Sequence, residues 1–160
     1  MTGIAFTPIG TVRSPHHDPR DMPIQPVGAR GIRGTIELDP TYAAGLRDLE
    51  GFSRIILLYH FHRSEGYALE VVPFLDKTPR GVFATRAPRR PNAVGLSMLK
   101  LIAVDGATLT VEDVDILDGT PVLDIKPYVP AFDAFPDERA GWLTATSGAA
   151  RTMRSDGRFC

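Results

Sequence analysis

A chain of 160 residues with 43% hydrophobic and 23% charged side chains is long enough to bury one core, and its composition excludes a disordered or fibrous protein. The net charge of −1 excludes global electrostatic steering toward nucleic acid, so any such binding must come from a local basic patch. No apolar run reaches the roughly 18 residues of a membrane-spanning helix, and the single cysteine, Cys160, excludes an internal disulfide framework and fits a cytoplasmic protein.

The start, "MTGIAFTPIGTV", has neither a basic leader nor a cleavable apolar core, so we read no secretory signal. "IGTVRS" (9–14) is the first β-like run. The polar segment 14–33, "SPHHDPRDMPIQPVGARGIR", carries four prolines, and loops of that length are usually functional or disordered. Within it, Gln25 sits between prolines that let the loop lie extended along a ligand, with the amide bonding in both directions. "GTIEL" (34–38) predicts a strand. Asp39 and Pro40 then read as N-cap and first position of a helix over "PTYAAGLRDL".

"RIILLYHF" (54–61) predicts a second strand in which His60 and His62, two apart, would share one face. Such a pair can present two metal ligands, with His16 or His17 as a third. No cysteine is at hand, and no acidic partner lies at a telling spacing. Core or ligand-stacking histidines are the better reading, and no metal is assigned. "LEVVPF" (69–74) and "GVFAT" (81–85) are further β-like runs.

Between "GVFAT" and "GLSMLKLIAV" (95–104) the chain places Arg86, Arg89 and Arg90 among Pro88 and Pro91. An ordinary turn needs Gly, Asn or Asp and no such charge. Proline fixes its own φ and restricts the residue before it, which pre-organises the guanidiniums to grip a carboxylate or phosphate. The alternative is an exposed basic loop. Lys77, Arg80, Arg86, Arg89, Arg90 and Lys100 fall within 24 positions, and Arg151, Arg154 and Arg158 form a second group.

"AVDGATLTV" places Asp-Gly at a hairpin turn leading into "TLTVEDVDIL" (108–117). Asp113, Asp115, Asp118 and Asp124 invite a calcium reading, but the D-x-D-x-x-D-G spacing lacks the ligand register of a calcium loop, and valine and isoleucine intervene. Asp118-Gly119-Thr120-Pro121 reads instead as a tight turn before "VLDIKPYV" (122–129). Asp115 or Asp118 either faces a cationic or hydroxyl-bearing ligand or caps its own backbone. "PDERAGWL" (136–143), with Asp137 and Glu138 in its first turn, predicts a second helix. Many short strands and few helices predict a mainly β, barrel-like single domain over 1–160, with its core at about 6–135 and a tail from 136.

Four motifs in order, "PIGTVRSP", "GFSRIILLYHFHRS", "GVFATRAPRRPNAVGLS" and "LDGTPVLDIKPYVP", together with a closing "RSDGRF", resemble the TsaA-like/TrmO family. The resemblance implies a β-barrel that binds S-adenosyl-L-methionine as a homodimer. It further implies N6-methylation of threonylcarbamoyladenosine beside the tRNA anticodon. It assigns cofactor contacts to Gln25, Pro26 and Val27, to His62 and Arg63, to Arg86, to Leu96, and to Asp115, Ile116, Leu117 and Asp118. Asp118 or His62 is the implied base, and Lys77, Arg80, Arg89 and Arg90 form the implied tRNA surface. Ala93 stands where the family usually has proline, which relaxes that loop. Larger bacterial members carry a further C-terminal domain, so the chain corresponds in length to the short members. A non-catalytic cofactor-binding module, a small-molecule methyltransferase or a metalloenzyme using His60 and His62 are the competing readings.

Overall fold

The computed structural model describes residues 2–20, 22–24 and 26–144. Six strands close into an antiparallel barrel: β1 (Gly10–Arg13), β2 (Gly34–Leu38), β3 (Arg54–His60), β6 (Val94–Asp105), β7 (Thr108–Glu112) and β8 (Pro121–Pro127). Their order around the wall is β1-β2-β7-β6-β3-β8, with β8 pairing back onto β1. Two short strands, β4 (Glu70–Val71) and β5 (Arg80–Gly81), form a separate ribbon. That ribbon lies in the long connection from β3 to β6, where Val71, Val82 and Ala87 make a small second core.

Alternation decides which residues fill the barrel. Along β3, Ile55, Leu57 and Tyr59 are buried while their neighbours are partly open. In β6 the inner positions are Gly95, Ser97 and Leu99. Val12, Ile36, Leu109, Val111 and Val122 complete the interior from the other strands. Burying such side chains contributes about 1.5–3 kcal/mol each, enough to fix the register, because a one-residue slip would turn every one of them outward. The β6–β7 hairpin turns at Gly106–Ala107, between the paired Asp105 and Thr108, and Gly106 takes the positive φ (60°) that such a turn requires.

Several expected elements differ. "PTYAAGLRDL" is a 3-10 helix (Pro40–Leu46) rather than an α-helix, though Asp39 caps it as read, its Oδ1 accepting from Thr41 N at 2.9 Å. "GVFAT" leaves the strand at once and coils into a 3-10 turn (Val82–Ala84) that Thr85 Oγ1 ties back to Val82 O. "PDERAGWL" forms no α-helix: it is turns followed by a 3-10 segment (Gly141–Leu143), and the short α-helix is α1 (Pro130–Asp133). Eight residues with a glycine held at φ 56° are too few to offset helix nucleation without a packing face. The run 108–117 stops at Glu112, because Asp113 turns left-handed (φ 65°) and leads a loop back across the barrel. Val114 and Ile116 of that loop are fully buried and plug the interior.

Candidate functional site

The plug loop, 113–120, forms the floor of the site. Asp113 starts it by accepting from Gly31 N at 2.8 Å and from Arg54 Nη2 at 3.0 Å. The N-terminal segment then runs alongside. Ser14 Oγ donates to Ile116 O (2.6 Å), His16 Nε2 donates to Val114 O (2.8 Å), and Asp118 N donates to His16 O (2.7 Å). These bonds satisfy the loop's backbone groups, which burial would otherwise penalise. Ile116 and Leu117 are left facing a cavity of about 870 Å³.

The cavity wall includes Pro19, Met22, Pro23 and Ile24 on one side, Phe61–Ser64 beyond the end of β3, Pro73–Leu75, and Phe83–Pro88 with Arg90 from the proline-stiffened turn. Most of the wall is apolar, with a few polar groups converging on it, the usual make-up of a small-molecule site. The polar groups include Arg86, Arg90, Asp115, His62 and Arg63, with Thr85, Asn92 and Thr120 also on the wall. Ser64 also lines it, and its hydroxyl is buried with no hydrogen-bond partner among the described residues. An unpaired buried hydroxyl is costly, and a ligand atom in the cavity would relieve it.

Asp115 is the electrostatic centre. Its Oδ1 accepts from Ser97 Oγ at 2.7 Å, and Ser97 Oγ lies 2.9 Å from Tyr59 Oη. Burial raises its pKa from the ordinary carboxylate value to about 7, against the opposing pulls of the Ser97 bond and the Arg86 charge. Burial likewise raises the Tyr59 hydroxyl, and the nearby Asp115 charge adds to that. His62 is lowered, first by burial and then by the charges of His60 and Arg63, so its imidazole is neutral near pH 7.

The structure brings His62, Arg63, Arg86, Leu96, Asp115, Ile116 and Leu117 around this one cavity. Gln25 lies outside the described residues, as do Arg151, Arg154, Arg158 and Cys160, while Pro26 and Val27 open a 3-10 turn (Pro26–Ala29). Asp118 does not line the cavity. Its Oδ1 accepts from Ser14 N (3.1 Å) and its Oδ2 lies 3.5 Å from His17 Nδ1, so it fastens the plug loop to the N-terminal segment. The expected shared face of His60 and His62 does not arise. The strand ends at His60, whose Nδ1 donates to Ala93 O (3.2 Å), and His62 beyond it turns to the cavity. Among the described residues no group of three His, Cys, Asp or Glu could hold a metal.

The basic cluster divides. Arg80 Nε bonds Asp76 Oδ2 at 2.6 Å, and the guanidinium lies 5.7 Å from the Trp142 ring centre. Arg90 Nη1 donates to Thr85 O (3.0 Å) and Ala87 O (3.2 Å), so it braces the turn that presents Arg86. Lys77 is exposed, and Arg89 is half-buried, with its Nε unpartnered among the described residues. Two polar residues of the site, Ser97 and Tyr59, escaped the sequence reading. The signal was available: alternation in "GLSMLKL" and "RIILLYHF" puts both on inward positions among Leu99, Ile55 and Leu57.

Residues 11–134 match the family model of the tRNA-methyltransferase O N-terminal domain. A Pyrococcus abyssi protein named a probable S-adenosyl-L-methionine-binding protein is 50% identical over 156 residues, 98% of this chain and 85% of that one. The Escherichia coli tRNA (adenine(37)-N6)-methyltransferase is 37% identical over 159 residues, covering 93% of this chain and 68% of the enzyme. The crystal structure of TrmO from Pseudomonas aeruginosa superposes with a TM-score of 0.74 at 40% identity, over 88% of this chain and 63% of that one. The chain thus spans under two thirds of the Pseudomonas protein's length.

Proposed function

The chain belongs to the family of tRNA-methyltransferase O N-terminal domains, and on that premise we propose that it is an S-adenosyl-L-methionine-dependent methyltransferase acting on N6 of threonylcarbamoyladenosine beside a tRNA anticodon. The observation that carries this reading is the cavity: at about 870 Å³ it is at the upper end for a single ligand, leaving room for a cofactor and the reacting part of an acceptor. The donor set fits the cofactor. Arg86 offers a guanidinium to its carboxylate, and Asp115 and the unpaired Ser64 hydroxyl suit its amine and ribose hydroxyls. Phe61, Leu96 and Leu117 supply an apolar slot for its adenine.

When bound, S-adenosyl-L-methionine supplies an electrophilic methyl group on a sulfonium. The chain's own residues position the reactants and exclude water. His62, neutral near pH 7, adds no charge repulsion toward a cationic ligand and is the site's proton acceptor. Asp118 is the weaker candidate, because its carboxylate is engaged with Ser14 and His17. Lys77 and Arg89 form the surface for tRNA phosphates, with Arg80 and Arg90 shaping it from behind. Contact with so few phosphates gives a shallow dependence of affinity on salt. The protein works in the cytoplasm as a C2 homodimer, in which the neighbour covers apolar groups at the cavity mouth such as Phe83, 75% exposed.

The test has two arms. Calorimetric titration with S-adenosyl-L-methionine should give saturable heat, and purified protein should transfer a methyl group to tRNA lacking the methylated nucleoside, as read by nucleoside mass spectrometry. Binding without transfer to tRNA would favour a cofactor-binding module or a small-molecule acceptor. No heat at all would end the reading. Sedimentation of a monomer near 17.4 kDa at micromolar concentration would remove the dimer.

A further inference from the structure

We propose that Ser97 and Tyr59 are positioning residues which turn the Asp115 carboxylate toward the ligand cavity and support its ionised form, acting through Asp115, with Ser97 set behind the cavity wall and Tyr59 on it. The proposal rests on the cofactor reading above and adds to it the device that makes Asp115 usable.

The direction of the hydrogen bonds follows from proton counting. Ser97 has one hydroxyl hydrogen, and its 2.7 Å bond to Asp115 Oδ1 uses it. The 2.9 Å contact with Tyr59 must then run from Tyr59 Oη to Ser97 Oγ. Tyr59 remains the donor throughout the neutral range, since burial raises its hydroxyl well above the ordinary phenol value. The relay therefore runs Tyr59 to Ser97 to Asp115 and ends on the carboxylate that lines the cavity. Ser97 is 1% exposed and is not part of the cavity wall. A polar residue on an inward barrel position, between Gly95 and Leu99, is otherwise costly.

The seat of the tyrosine is built with equal care. A Cβ on Gly95 would collide with the Tyr59 ring and come within 2.9 Å of Phe61 Cζ. The Tyr59 and Phe61 rings meet edge to face at 5.5 Å. Glycine at 95 thus leaves room for the ring where its hydroxyl meets Ser97. The charged and titratable groups acting on Asp115 are Arg86, from the turn after Thr85, and Tyr59, from β3. His62 lines the same cavity from beyond β3. Burial pushes Asp115 up to about 7, and the Ser97 bond and the Arg86 charge both pull it down. Without the serine, the group would be largely protonated at neutral pH and could not accept from a cationic or hydroxyl-bearing ligand.

The experiment measures the Asp115 titration by carboxyl carbon NMR in the ligand-free protein, and S-adenosyl-L-methionine affinity against pH by calorimetry. Wild type is compared with Ser97→Ala, Ser97→Thr and Tyr59→Phe. Ser97→Ala should raise the Asp115 midpoint by about one pH unit and move the acid limb of binding by the same amount, a roughly tenfold loss of affinity below the midpoint. Ser97→Thr should restore both. Tyr59→Phe, which keeps the ring and the packing, should shift both in the same direction by less. A Ser97→Ala protein that folds with the Asp115 titration unmoved, or with the titration moved but the binding limb unmoved, overturns the proposal. If Ser97→Ala fails to fold, Tyr59→Phe decides by the same two readouts. Wild type that binds no S-adenosyl-L-methionine at any pH, while its Asp115 still shifts in the variants, overturns the cofactor reading and leaves the ionisation device standing.

Discussion

Asp113 and Asp115 lie two residues apart on one loop, and both are buried, at 6% and 9% exposure. Asp113 is met by a guanidinium, Arg54 Nη2 at 3.0 Å, and by the Gly31 N–H at 2.8 Å. Asp115 accepts from the neutral hydroxyl of Ser97 and feels the charge of Arg86, and burial dominates its titration. The same side chain thus serves two ends. Where a carboxylate is fully compensated, it closes a loop. Where compensation stops short, it stays poised near neutral pH beside a cavity, as functional carboxylates commonly do.

The largest expected effect separates the two by pH. Asp115 is raised to about 7 in the folded protein from 3.8, so between those values the folded state holds a proton that the unfolded state has released. Stability is therefore greatest below pH 4 as far as this group is concerned. It falls as pH rises through 7, by up to about 4 kcal/mol. Asp115→Asn cannot ionise, should flatten that decline, and should be the more stable protein at pH 8 while losing cofactor affinity. Urea unfolding at pH 4, 6 and 8 measures it, and parallel curves for the two proteins would refute it. Asp113→Ala should do the opposite. It strands the Gly31 N–H and removes the Arg54 partner, at a cost of about 2–3 kcal/mol, with the acid limb of cofactor binding unmoved.

This contrast was only half legible in the sequence. Alternation in "GTIEL" and "RIILLYH" places β2 and β3, and Asp-Gly places the β6–β7 turn, because those signals are local. The end of β7 was not, since what stops it is Asp113 reaching Arg54, 59 positions away. Arg86 and Arg90 read alike as guanidiniums in a proline-stiffened turn. Both line the cavity, but Arg90 also spends its Nη1 on the turn's own carbonyls, a difference that depends on backbone direction and not on residue type. Asp115 was visible as a residue that either meets a ligand or caps itself. Its partner Ser97 was hidden as a lone polar residue in an apolar strand, informative only when β3 brings Tyr59 beside it.

Arg86 sharpens the comparison from the other side, as the cation that acts on Asp115 where Arg54 acts on Asp113. Arg86 is exposed, so Arg86→Ala should leave the barrel folded. Its loss from the cavity wall should still weaken S-adenosyl-L-methionine binding by roughly ten- to a hundredfold, one charge-assisted contact of about 1.5–3 kcal/mol. Removing Arg86 also removes a charge that lowers Asp115, so the acid limb of binding should move to higher pH as well. Calorimetry across pH checks both. A variant that binds as wild type would show that the guanidinium does not meet the ligand.

The smallest expected effect tests the same chemistry at the surface. Trp142 Nε1 donates to Ala84 O at 2.8 Å, and the Arg80 guanidinium, held by Asp76, lies 5.7 Å from its ring centre. This strap sets Trp142 and Leu143 against the cavity wall, yet neither belongs to the buried cluster that fills the barrel. An exposed cation–π contact and one hydrogen bond contribute about 1 kcal/mol together, and they hold a segment that can open without unfolding the barrel. Trp142→Ala should therefore leave the urea midpoint almost unchanged, speed amide exchange around Val82–Ala84, and weaken cofactor binding by less than about tenfold. Trp142→Phe, keeping the ring but not the N–H, should fall between. The chain has one tryptophan, so its fluorescence reports the strap directly and should respond to cofactor before any global transition. If Trp142→Ala lowers the urea midpoint as far as Asp113→Ala does, the strap is part of the core, and burial is not what separates the two kinds of pair.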